Sequence, residues 1–244
     1  IVPPELAKTY LLAQHARGEG FALIPDDRKC RFQLKEFDQA ARDRVLACHQ
    51  LHPDGHLVVG DSHAANVYGA IAAALPTEFV VVLTRSKCHA HSAETACGLD
   101  QLQLFTSRHP DVFSRITYNQ AGFYLLETLE GGPGTRTMFT DFEPNESVPS
   151  YPPDDQSIAI VAEYLDGLSA QADVVWLGPV LEPHISERHI LRTGCAHPFR
   201  LRPNLEAVFK GLDPRIAALF VSRTGPSQVR YVSQMRLTKF DATR

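Results

Sequence analysis

The stretch Leu57-Val58-Val59-Gly60-Asp61-Ser62-His63-Ala64 decides the fold. Its apolar beginning, bounded by glycine and polar residues, is typical of a strand that is buried on both faces. From Ala64 to Leu75, alanine and aliphatic residues recur at helical spacing until Pro76 stops the helix. The stretch therefore predicts a strand, a tight turn and a helix in direct succession.

The same alternation of strand and helix continues along the chain. Further strands are predicted at 78–83, 115–118, 173–177 and 229–232, and further helices at 34–49, 93–109, 157–168 and 205–220. This pattern predicts a mainly parallel sheet with helices on both faces, which is a three-layer α/β/α sandwich. We expect residues 1–55 to form a helical N-terminal extension packed on the core, and residues 56–244 to form the α/β domain.

The composition excludes several classes of protein. Hydrophobic residues at 44% and charged residues at 21% are ordinary globular values, and a net charge of -4 offers no basic face for nucleic acid. No run approaches the roughly 18 to 20 apolar residues that span a bilayer. The chain begins at Ile1 without a signal peptide, so we expect it to be excised from a longer polypeptide.

The cysteines indicate the redox compartment. Cys30 lies close in sequence to Cys48, and Cys88 to Cys97, while Cys195 is left over. Close pairs suit two local disulfides, each stabilising by roughly 2 to 4 kcal/mol, and so predict an oxidising compartment. The alternative is five reduced, buried cysteines.

Ser62 stands where a strand gives way to a helix. In open α/β sheets, chemistry gathers beyond the carboxyl ends of the strands, where helix N-termini point into a crevice. Backbone N–H groups there can stabilise an oxyanion by roughly 3 kcal/mol per donor, and a serine nucleophile needs a histidine base. The alternative is that Ser62 only caps the helix.

The run Gly60–Ala64 resembles the first signature block of the SGNH (GDSL-like) hydrolases, in the form found in SGNH domains fused to bacterial membrane acyltransferases. The segment Val174–Pro183 and the cysteine pair before the block are similar to features of this subgroup, and the resemblance spans about Cys30 to Ser233. It implies a flavodoxin-like sandwich in which Ser62 takes an acyl group as an ester. No cofactor is expected.

The resemblance also implies a setting and partners. The subgroup transfers acyl groups, most often acetyl, to surface polysaccharides at the extracytoplasmic face of the bacterial inner membrane. We therefore expect a carbohydrate acceptor, an acyl donor and a membrane acyltransferase domain in the same polypeptide, and no nucleic acid. A glycan-positioning module without catalysis and a free-standing carbohydrate esterase are the alternatives.

The general base is the part of the implied site that this sequence does not supply. The family places it in an Asp-x-x-His block near the C-terminus, and none of the 11 histidines has that spacing. We expect the base to lie beyond Arg244. The alternatives are a site that has lost its base, or one that uses His184 or His189 from the loop after the predicted strand at 173–177.

The remaining site residues flank Ser62 or follow the third predicted strand. The resemblance implies an oxyanion hole made by the N–H of Ser62, a glycine and a side-chain amide, for which Asn119 and Gln120 are the candidates. These two residues can also simply close a strand. We expect His63 to contact the substrate; the alternative is that its side chain points to solvent. We place Asp61 in the substrate site as well; the alternative is a structural role, in which its carboxylate accepts backbone donors across the turn.

Other constellations compete with this interpretation. Cys88, His89, His91 and Cys97 carry zinc-ligand side chains, although a disulfide flanked by histidines is the simpler account. An α/β-hydrolase elbow needs a second glycine where Ala64 stands. Because the disulfide is the simpler account, we expect no metal. No glycine-rich nucleotide-binding motif occurs, so we expect no nucleotide either.

Overall fold

Six parallel strands form one sheet in the structure, a computed structural model that describes residues 30–75, 78–92, 97–135, 138, 146–181, 203–222 and 229–238. The strands are β1 (Arg31–Leu34), β2 (Gly55–Gly60), β3 (Phe79–Thr84), β4 (Phe113–Asn119), β5 (Asp173–Leu177) and β6 (Val229–Val232). They lie side by side in the order β1-β3-β2-β4-β5-β6. Every neighbouring pair is parallel, as the alternating pattern predicted.

In the described residues, six α-helices connect or follow these strands. They are α1 (Gln39–Leu51), α2 (Ser62–Ala74), α3 (Leu99–Arg108), α4 (Asp155–Ser169), α5 (Leu205–Ser222) and α6 (Gln234–Thr238), and a 3₁₀ helix, η1 (Gly122–Leu125), follows β4. Three helices begin at an aspartate whose side chain accepts a backbone N–H of the first turn: Asp38 for α1, Asp61 for α2 and Asp154 for α4. Such caps fix the helix starts.

The two faces of the sheet are covered by different helices. Side chains alternate along each strand, so Leu57 and Val59 face the larger core, to which α1, α3, α4 and α5 contribute. Val58 faces the other way and packs with side chains of α2, Tyr68 among them. Helices on both faces confirm the predicted three-layer α/β/α sandwich.

Part of the predicted N-terminal extension belongs to the sheet itself. Residues 1–29 of that extension lie outside the described residues. Arg31–Leu34, for which no strand was predicted, pairs with β3 as an edge strand, and α1 follows it. The Cys30–Cys48 disulfide joins the start of β1 to α1. The disulfide thus ties the edge strand to the helix that follows it, and pairing with β3 joins the strand to the sheet.

Both predicted disulfides are present: Cys30 is bonded to Cys48, and Cys88 is bonded to Cys97. Disulfides persist in oxidising compartments, so the two bonds are consistent with an extracellular protein. Within the described part of the chain, no helix has the length and apolar character needed to cross a membrane.

The strand order places a topological switch point at the carboxyl end of β2. The chain passes from β2 to its neighbour β3 on one side, and then crosses to β4 on the other side of β2. Where the connections from adjacent strands run to opposite sides of the sheet, open α/β sheets have a crevice in which they bind ligands. Gly60 of β2 is paired with Asn119 of β4 at this edge.

Candidate active site

Ser62 lies at this switch point and is open to solvent. It is the first residue of α2, directly after the capping residue Asp61, and its side chain is exposed. No side chain of the described residues hydrogen-bonds to its hydroxyl. It lies at the N-terminal end of a 13-residue helix, where the partial positive charge favours a developing negative charge.

Asp61 forms hydrogen bonds to residues at or after the carboxyl ends of the strands around Ser62. Asp61 itself is only 3% exposed. One carboxylate oxygen, Oδ1, accepts the His63 N–H at 2.9 Å, and the other, Oδ2, accepts the Ala121 N–H at 2.9 Å. Oδ2 also lies 3.1 Å from Nε2 of His89, and the backbone carbonyl of Asp61 accepts the Thr84 hydroxyl at the end of β3. The turns after β2, β3 and β4 therefore meet on one residue.

These contacts decide the charge state of Asp61. Burial by itself raises the pKa of the carboxyl group, but the hydrogen bonds from His89, Ala121 and His63 stabilise the anion. Their combined effect holds the pKa of Asp61 below its ordinary value. Since a carboxylate can only accept, Nε2 of His89 carries the hydrogen, and Nδ1 is the acceptor nitrogen when the ring is neutral.

The predicted contact of Asp61 with substrate was wrong, and the structural alternative holds. A side chain this deeply buried, with both oxygens occupied by protein donors, does not face a ligand. His63 is half-buried in the first turn of α2. Its role toward a substrate stays a prediction.

One tyrosine ring and a second histidine ring pack against His89, the partner of Asp61. The His89 ring lies 4.0 Å from that of Tyr124, and its other neighbour is the nearly parallel ring of His91, 5.3 Å away between centroids. Nδ1 of His91 is buried without a hydrogen-bond partner among the described residues. Burial lowers the pKa of His91 to about 4, so this ring is neutral at pH 7.

The lowered pKa of His91 predicts a loss of stability in mild acid. The unfolded chain binds this proton near pH 6.5 and the folded chain only near pH 4, so the free energy of unfolding should fall between these values. Urea titrations at pH 7 and at pH 4.5 measure this fall in the free energy of unfolding. We expect the fall to be about 2 kcal/mol smaller in His91→Gln than in the parent. His109→Gln, at an exposed histidine, should lose as much as the parent. An equal loss in His91→Gln would contradict the prediction.

Asn119 and Gln120 lie where predicted, at the carboxyl end of β4, but both side chains are buried. The Asn119 amide donates to the Leu177 carbonyl at 3.0 Å and so holds β4 to β5. The Gln120 carbonyl oxygen accepts the Tyr118 hydroxyl, while its amide nitrogen has no hydrogen-bond partner within the described ranges. Of the two oxyanion candidates, Gln120 is the one with an uncommitted amide nitrogen.

The remaining predicted residues have different outcomes. His184 and His189 lie outside the described residues. The zinc alternative at Cys88, His89, His91 and Cys97 was wrong, because both cysteine sulfurs are bonded to each other. In the described ranges, no group of three or more His, Cys, Asp or Glu side chains is arranged to hold a metal ion.

Sequence reasoning missed His89 as the partner of Asp61. The signal available was its position a few residues after the end of β3, because carboxyl ends of neighbouring parallel strands share one edge. The zinc and disulfide hypotheses both treated this histidine as part of its own loop. The contact spans 28 residues of sequence and becomes visible only in the fold.

Comparison with models of protein families, and with curated proteins, finds no match to this chain. The resemblance of Gly60–Ala64 to the SGNH hydrolases thus remains a prediction from the motif.

Proposed function

We propose that this chain is an extracytoplasmic SGNH-type domain that takes part in O-acyl transfer, chiefly of acetyl, to a bacterial surface polysaccharide. The observation that carries the proposal is the exposed Ser62 hydroxyl in the first turn of α2, at the switch point of a parallel sheet. A serine needed only as a cap would occupy the position of Asp61, which performs that role instead. Ser62 is therefore available for chemistry.

The proposed reaction has two steps. The Ser62 oxygen attacks the carbonyl carbon of an acyl donor, its proton passes to an imidazole, and the donor's alcohol or thiol leaves with a proton. A carbohydrate hydroxyl then attacks the ester carbonyl and gives its proton to the imidazole; the acyl group passes to the sugar as the Ser62 O–acyl bond breaks, and the serine oxygen regains a proton. The Ser62 N–H and the positive end of α2 would stabilise the oxyanion in both steps. The imidazole would be that of the family's Asp-x-x-His block, as the resemblance implies, or the alternative, His184.

The proposed setting follows from the disulfides and the resemblance. Two disulfides suit the oxidising side of a bacterial inner membrane. The acyl group would come from a membrane acyltransferase domain of the same polypeptide, and the acceptor would be a surface carbohydrate.

A serine-directed probe tests the proposal. We expect a fluorophosphonate to label the parent protein at Ser62, as identified by mass spectrometry of tryptic peptides, and to leave Ser62→Ala unlabelled. Ser107→Ala provides a matched control, because Ser107 is an exposed helical serine far along the chain whose hydroxyl bonds to Leu104. It should label like the parent. A parent that stays unlabelled, or label that persists in Ser62→Ala, would refute the nucleophile.

A second candidate is a module that only positions a glycan. It is favoured by the lack of a hydrogen bond from the Ser62 hydroxyl to any described side chain. Binding of an acetylated oligosaccharide by a protein that is not labelled supports this module. For a labelled protein, p-nitrophenyl acetate with and without an oligosaccharide acceptor separates the two enzymatic outcomes: an acetylated sugar indicates transfer, and acetate alone indicates an esterase.

A further inference from the structure

We propose that His89 is a positioning residue of the Ser62 site, which holds the Asp61 carboxylate and through it the first turn of α2. The inference rests on the proposed function in taking Ser62 as the reacting group. His89 is not part of any signature block in the sequence. Its role follows from where the fold places it.

The contact itself is a buried pair. Nε2 of His89 lies 3.1 Å from Oδ2 of Asp61, and the two side chains are 3% and 4% exposed. Without His89, the buried carboxylate keeps the His63 and Ala121 N–H groups but loses its one side-chain donor among the described residues, which weakens its hold away from water. The carboxylate would then be free to turn toward solvent and to give up its bond to the Ala121 N–H.

His89 is held in place from several sides. Cys88, its neighbour in sequence, is fixed by the disulfide to Cys97. The next residue, Ala90, donates its N–H to the hydroxyl of Tyr118 in β4 at 3.3 Å. The ring is also packed between His91 and Tyr124. This disulfide-closed loop therefore presents a donor to Asp61 in a fixed direction.

The effect on Ser62 passes through one covalent neighbour. Asp61 precedes Ser62, and its Oδ1 accepts the N–H of His63, which follows Ser62. The carboxylate therefore links the two residues on either side of the serine. A rotated carboxylate releases that N–H, and the first turn of α2 loses its cap. Both the hydroxyl and the amide of Ser62 then lose their fixed orientation, which lowers reactivity even though His89 need not contact the substrate.

A thiol at position 62 measures this orientation without requiring catalysis. Ser62→Cys is made in a Cys195→Ser background, where the other four cysteines are disulfide-bonded. The pH dependence of its alkylation by iodoacetamide gives the thiol pKa. We expect a pKa below about 8.5, because a thiolate is stabilised by the amides of a helix start. Adding His89→Phe, which keeps a ring but no donor, should raise it by about one unit.

The conservative variant separates positioning from mere packing. The amide of glutamine reaches about as far as Nε2 of histidine, so His89→Gln should leave the thiol pKa within about 0.3 units of the parent. His89→Asn has a donor that is one carbon too short and should behave like His89→Phe, which keeps the test informative if the phenylalanine variant does not fold. A thiol pKa that is the same in all three variants overturns the proposal.

Labelling of Ser62 completes the test and keeps the two proposals apart. With the native serine, we expect fluorophosphonate labelling per folded molecule to fall about 30-fold in His89→Phe and less than threefold in His89→Gln. His109→Gln, at an exposed histidine distant in sequence, should label like the parent. A shifted thiol pKa with no labelling of the parent supports positioning but refutes the nucleophile. Normal labelling with an unshifted thiol pKa refutes positioning alone.

Discussion

Replacement of Gly60 by alanine is expected to unfold the protein or to lower its free energy of unfolding by more than about 4 kcal/mol. Gly60 ends β2 with a φ of +146°, in a region that side chains rarely adopt. A Cβ there would lie 1.8 Å from the backbone carbonyl oxygen of Asn119 in the neighbouring β4. Because that obstacle is backbone, relief requires the two central strands to separate at the switch point.

Soluble yield, circular dichroism and urea unfolding measure this effect. The matched control is Gly69→Ala, in the middle of α2, where a Cβ meets no atom within 4 Å. That change should stabilise the protein by roughly 0.5 to 1 kcal/mol, because glycine is a poor helix former. A Gly60→Ala protein whose stability stays within about 1 kcal/mol of the parent would show that the strands are not so closely apposed.

Asp61→Ala is expected to cost about 3–5 kcal/mol of unfolding free energy. The change removes the cap of α2 and leaves two buried donors, the Ala121 N–H and Nε2 of His89, without their acceptor. Asp38→Ala is the matched control, since the exposed Asp38 caps α1 through Ala41 and has no buried partner of this kind. It should cost only about 1 kcal/mol in urea titrations at pH 7.

The lowered pKa of Asp61 also predicts a pH dependence. The folded-state pKa of Asp61 lies below the unfolded value of 3.8, so its stabilisation is present above that pH and is lost as the pH falls through the folded-state pKa. The stability gap between the parent and Asp61→Ala should therefore narrow below about pH 4. Equal costs for Asp61→Ala and Asp38→Ala at pH 7 would mean that Asp61 is no more than a cap.

Much of the fold was predictable because its signals are local. The apolar run Leu57–Val59 and the helical spacing after Ala64 required no knowledge of distant residues, and both elements formed as predicted. The edge strand Arg31–Leu34 was not predicted, because only Phe32 in it is fully buried and a half-exposed run of four residues carries little pattern. The loop between Cys88 and Cys97 was identified as a disulfide loop, and correctly so.

By itself, then, the sequence determined the strand–turn–helix that carries Ser62, the alternation that gives a parallel sheet, and the two cysteine pairs. Only the tertiary structure decided what surrounds the serine. The order β3-β2-β4 brings Asp61 to His89 and Ala121, which are 28 and 60 residues away along the chain. The physical reason is that side-chain periodicity records which face of an element is buried, whereas the choice of neighbouring strands arises from packing the whole chain at once.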